Sequence, residues 1–132
     1  MTLLYTDPQF LQHDTGPHPE TADRLRAITF RLGKTDLPAR CRPGSYRPLT
    51  TEAVARIHSP RMVRAAEDTA NHGGGRLDPD TVVSPASFTV ALAAAGACAS
   101  AVDAVLHGDD TNTLCLVRPP GHHATPTRSM GF

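Results

Sequence analysis

Between Ala86 and Leu106 the chain carries a single charge, Asp103, and the middle of that run reads Val90-Ala-Leu-Ala-Ala-Ala-Gly-Ala-Cys-Ala99. A segment of this length could reach across a bilayer. Its Ala-rich composition, with Ser and Thr interspersed, is only weakly hydrophobic for insertion, and it lacks basic or interfacial aromatic anchors at its ends. The expected form is a helix buried on several faces, whose small side chains let a sheet or another helix come close. Such a helix needs layers around it, which excludes a small single-layer fold.

The flanking segments supply those layers. His107-Gly108-Asp109-Asp110 ends the long helix, and Thr113-Leu114-Cys115-Leu116-Val117 is a short apolar, partly β-branched run, expected as a strand buried on both faces of a parallel sheet. Leu3-Leu4-Tyr5, stopped by Asp7-Pro8, is expected as another buried strand. The turn-rich stretch His13-Asp14-Thr15-Gly16-Pro17-His18-Pro19-Glu20 is a loop. Leu25, Ile28 and Leu32 then recur at helical spacing between a capping Thr21 and Gly33. Lys34 to Pro48, with three prolines, is expected as a connector, followed by a short helix from Thr50 through Ile57. Ser59-Pro60 is a cap and first-turn pair for a helix presenting Val63, Ala66 and Ala70, and Leu77 to Thr81 is again loop. The sum is an α/β fold with a central parallel sheet flanked by helices.

The chain has 132 residues, enough for one domain. Thirteen Lys and Arg balance thirteen Asp and Glu. Phosphate binding normally needs a basic excess or a basic face, so direct nucleic-acid contact or an anionic membrane surface is not expected. Cys41, Cys98 and Cys115 are far apart and form no C-x-x-C pair, which reads as reduced thiols in a cytoplasmic protein. The opening Met1 to Tyr5 has no basic n-region and too short an apolar run for a signal peptide.

The chemistry concentrates in Arg118-Pro119-Pro120-Gly121-His122-His123-Ala124, directly after the last strand. Ligands of open parallel sheets bind beyond the carboxyl ends of strands. The prolines stiffen this loop and Gly121 permits an unusual backbone angle. An imidazole held there can take a proton from an activated water, the chemistry of a general base. Neighbours in sequence seldom point at one ion, so the pair is a poor metal site by itself.

This segment, with Gly131-Phe132 after a short Pro- and Arg-containing loop, resembles the active-site signature of the zinc-dependent histone deacetylase, acetylpolyamine amidohydrolase and acetoin-utilisation superfamily. His13 to Glu20 running into Arg24-Leu25 is similar to the family's opening motif, and Asp78-Pro79-Asp80-Thr81 with Ser84 and Ser87 resembles its middle. The match runs in order from about Leu4 to Phe132. The resemblance implies a partial arginase/deacetylase-like fold, residues 1–132 forming the N-terminal portion of one catalytic domain, and hydrolysis of an N-acetyl amide such as acetyl-lysine or an acetylpolyamine by a zinc-bound water. His123 would be the general base and acid and His122 its electrostatic partner. Phe132 and Gly131 would line the acyl tunnel, and Asp80 would sit at its rim. His18, Glu20 and Arg24 are expected to stabilise the loop and first helix.

In the family, the zinc ligands, the carboxylates that orient the histidines and the carbonyl-polarising tyrosine follow the Gly-Phe segment. None can be placed here, so the resemblance implies that zinc belongs to the complete enzyme and that the isolated chain is inactive. The competing reading is a catalytically inactive remnant or interaction module. A half-sheet would also leave an open edge, which predicts self-association.

Overall fold

The computed structural model describes residues 1–131. Strand β1 (Thr2–Thr6) is the centre of a three-stranded parallel sheet, between β2 (Cys41–Pro43) and β5 (Asn112–Leu116). Thr2 pairs with Cys41 on one side and with Asn112 on the other. A separate antiparallel hairpin joins β3 (Gly75–Asp78) to β4 (Thr81–Val83). Among the described residues there are also four α-helices, α1 (Ala22–Leu32), α2 (Thr51–Val54), α3 (Pro60–Asn71) and α4 (Ser87–Leu106), and two short 3-10 turns, Pro8–Gln12 and Pro38–Arg40.

Helix α4 forms as its composition requires. Val90, Ala93, Ala94, Gly96, Ala97, Ala101 and Ala104 are buried, and most of them join Leu3, Tyr5, Phe10 and Leu25 in the core. The helix is long and apolar enough to cross a bilayer by length and composition alone. In this fold those small side chains face β1 and β5 instead. Gly96 marks the closest approach: a Cβ there would collide with the Arg47 carbonyl oxygen and stand 2.9 Å from Pro48 Cα. The adjacent Leu49 amide donates to the Leu92 carbonyl at 3.0 Å, fastening the segment before α2 to the helix.

Helix α3 also begins where expected. The Ser59 hydroxyl accepts from the Met62 amide at 3.2 Å, Pro60 opens the first turn, and Val63 and Ala70 are buried. Helix α1 occupies its expected span, but only Leu25 is buried, Ile28 is exposed, and Thr21 makes no side-chain cap. Helix α2 ends at Val54, and turns carry the chain on to Ser59.

Three expectations are corrected. The Lys34–Pro48 connector contains β2, a three-residue strand that needs no hydrophobic run because β1 supplies its pairing. Leu77–Thr81 belongs to a hairpin rather than a loop. Strand β5 is not buried on both faces: it is the sheet edge, and Leu114 is 43% exposed.

Because the three strands are parallel, their carboxyl ends lie on one side. The Asp7–Glu20 segment leaves β1 there and the Arg118–Gly131 segment leaves β5 there. The two motif-bearing loops are therefore neighbours.

Candidate active site

Arg118 locks the two loops together. Its side chain is 2% exposed, its Nε donates to Glu20 Oε1 at 2.7 Å, and its Nη2 donates to Glu20 Oε2 at 2.7 Å. Nη1 donates to the Phe10 carbonyl at 3.2 Å and the His13 carbonyl at 2.8 Å. A forked guanidinium fits this bidentate role in a way a lysine could not. Burial alone would raise the Glu20 carboxyl, but the Arg118 hydrogen bonds and charge outweigh it and hold the group below its ordinary value. Arg24, four residues after Glu20 and one helical turn away, reaches it only at 3.4 Å.

The rest of the His13–Glu20 loop is equally well held. His13 is buried, with Nδ1 2.7 Å from the Ser87 hydroxyl at the start of α4, and its Nε2 has no hydrogen-bond partner among the described residues. Burial, reinforced by the Arg118 charge, pushes the His13 imidazole below its ordinary value. The Thr15 hydroxyl donates to the Glu20 carbonyl at 2.5 Å. The Glu20 amide donates to His18 Nδ1 at 3.0 Å, which leaves Nε2 as the ring donor, to Asp80 Oδ1 at 2.9 Å. Asp80 sits exposed at the tip of the β3–β4 hairpin, where its amide donates to Asp78 Oδ1 at 2.8 Å and holds the Asp78 carboxyl low.

Beyond Arg118 a cis peptide leads into Pro119. Gly121 takes φ +67°, and the Ala124 amide donates to its carbonyl at 3.1 Å, closing a turn around His122 and His123. The two imidazole rings lie 4.2 Å apart, tilted by 42°, and both residues are exposed. Gly131, buried with φ +82°, packs against His123 so closely that a Cβ would fall 2.6 Å from the ring. Phe132 lies outside the described residues. His122 borders a cleft of about 520 Å³ lined by apolar side chains including Val54, Met62, Phe88, Leu92 and Pro120.

The geometry thus brings His122, His123 and Gly131 together, while Asp80 is tied to His18 on the other loop. Among the described residues no three His, Cys, Asp or Glu side chains converge on a point that could hold a metal ion. These residues alone do not fit a zinc centre.

Residues 18–132 match the histone deacetylase domain family. The chain belongs to that family. Aligned over 99% of its length, it is 32% identical to a histone deacetylase-like amidohydrolase of Pseudomonas aeruginosa, spanning 39% of that protein. It is 36% identical over 98% of its length to the human polyamine deacetylase HDAC10, spanning 19% of it. The HDA15 HD domain superposes with a TM-score of 0.93 at 35% identity, covering 99% of this chain and 39% of the other. The chain therefore spans less than half the length of these histone deacetylase relatives, and its parallel sheet with flanking helices matches a fragment of the deacetylase domain.

Two members of this constellation are not marked by the sequence motifs as supports of the histidines. Arg118 was visible only as the first residue of the His-His motif, although an arginine between an apolar strand and two prolines is a signal of a buried charge seeking a carboxylate. His58, whose Nδ1 meets the Thr125 carbonyl at 2.9 Å, carried no local signal.

Proposed function

We propose that this chain carries the acid–base histidines of a deacetylase that hydrolyses the N-acetyl amide of acetylated lysine or of a small acetylated amine. The observation that supports the reading most is the His122–His123 pair, on a loop anchored by the buried Arg118–Glu20 ion pair and lying within the region matched to the histone deacetylase family.

In this reading His123 takes the proton of the attacking water as the new C–O bond forms. It then gives that proton to the amine nitrogen as the C–N bond breaks, releasing acetate and a free amine. His122 tunes the charge beside it. Gly131 belongs to the wall that receives the acyl chain, and Asp80 to the rim that holds the substrate backbone. The zinc implied for the whole protein would be held by groups other than the described ones. The open edge of β5, with Leu114 exposed, supports self-association of the isolated chain.

The test is turnover of an acetyl-lysine peptide and of an acetylated polyamine by the full natural protein, compared with His123→Ala. Loss of a general acid–base group should cost about 100- to 10,000-fold in kcat. A wild-type protein that turns over neither substrate, or a His123→Ala protein as fast as wild type, would defeat the reading and favour a binding module.

A further inference from the structure

The His122–His123 loop is fastened on its amino side by Arg118, and on its carboxyl side by the residues joining α2 to α3. The Ser59 amide donates to the Pro126 carbonyl at 2.7 Å. One residue earlier, His58 Nδ1 lies 2.9 Å from the Thr125 carbonyl oxygen. A carbonyl only accepts, so Nδ1 carries the proton and His58 is the donor. Ser59 is also the N-cap of α3, so both donors are set by the start of a well-capped helix. The two acceptors belong to a turn closed on itself, in which the Thr125 amide donates to the Arg128 carbonyl at 3.0 Å and the Arg128 amide to the Thr125 hydroxyl at 3.0 Å.

We propose that His58 is a positioning residue for the acid–base pair: by holding the Thr125 carbonyl while the Ser59 amide holds that of Pro126, it fixes the orientation of the turn that begins two residues after His123. This rests on the deacetylase reading. A single bond, Ser59 to Pro126, would leave the turn free to pivot; two adjacent donors gripping two adjacent carbonyls remove that freedom. The Gly121–Ala124 turn is short, so a pivot at Thr125 is transmitted to His123 and to its packing on Gly131. His58 also borders the apolar cleft beside His122, which places the clamp on the same face as the histidines it orients. Its imidazole acts on the backbone two residues beyond the pair and takes no part in proton transfer.

The experiment compares His58→Ala with His58→Asn in the full natural protein, because the Asn side-chain amide can reproduce the Nδ1 donor. His58→Ala should lower kcat about tenfold and leave KM within about twofold, since the substrate still binds but the base is misplaced. His58→Asn should restore most of the loss. Wild-type kcat in His58→Ala, or equal deficits in both variants, would overturn the proposal. In parallel, the imidazole proton–carbon resonances of His122 and His123 should move in His58→Ala and return in His58→Asn; unmoved resonances would also overturn it. The second readout separates the two claims. A wild-type protein without turnover defeats the deacetylase reading, while the ring resonances still decide the clamp.

Discussion

Glu20 and Arg118, ninety-eight residues apart in sequence, meet as a buried bidentate ion pair at 2.7 Å, and this contact joins the loop after the first strand to the loop that carries the histidines. Removing one partner strands a charge. Glu20→Gln should therefore cost about 3–5 kcal/mol in urea unfolding, a loss typical of a broken buried pair. Replacing both residues, as in Glu20→Leu with Arg118→Met, should recover part of that loss but not all. The Phe10 and His13 carbonyls that Arg118 serves would remain without their donor. An additive double mutant would show that the pair is not coupled.

Acidification should weaken the fold in two stages. Unfolded His13 titrates near 6.5, whereas burial and Arg118 keep the folded imidazole neutral to lower pH. Below 6.5 the unfolded chain thus binds a proton that the folded chain refuses, and stability falls as pH falls. Glu20, depressed below 4.5 in the fold, contributes stability that is complete above 4.5 and lost as pH drops through its folded value. Melting temperatures measured from above 6.5 to below 4.5 should show both declines, and His13→Asn should remove only the first. A His13→Asn profile that keeps the upper decline would assign it elsewhere.

Helix α4 offers a test with an unusual sign. In an exposed helix, Gly→Ala gains about 1 kcal/mol. At Gly96 the added Cβ meets the Arg47 carbonyl oxygen and the backbone of Pro48, neither of which is the end of a flexible side chain. Gly96→Ala should instead destabilise the protein by about 1–3 kcal/mol, as overpacking does. Stabilisation on urea unfolding would mean that the 47–48 segment yields.

What could be read from the residues follows the range of the forces involved. Helix α3 was legible from its local cap, and helix α4 from its local small-residue pattern. Strand β2 was not, because Cys41-Arg42-Pro43 has no alternation and becomes a strand only by pairing with Thr2 to Leu4. Leu114 misled because an apolar run does not reveal whether a neighbouring strand covers it, and here it lies on the edge. At the site, the His-His motif was visible as a contiguous string. Its supports were not: Glu20 finds Arg118, and His58 finds Thr125, through folding alone, while the local rule pointed Glu20 toward Arg24.

Gly131 is the position where a single methyl group should separate chemistry from stability. Its φ of +82° already disfavours any side chain, and an added Cβ would sit 2.6 Å from His123 Cβ and Cδ2 and 2.8 Å from its Cγ. Relief requires the whole His123 side chain, Cβ included, to shift with its loop, so the cost falls on the placement of the imidazole as well as on the local backbone. Gly131→Ala in the full natural protein should lower kcat about 100-fold, the scale expected for a misplacement of about 1 Å. The melting temperature should drop only slightly, because the Arg118–Glu20 anchor lies on the other side of the loop. An unfolded variant would show instead that Gly131 serves the fold, and unchanged turnover would show that the His123 ring does not need its present orientation.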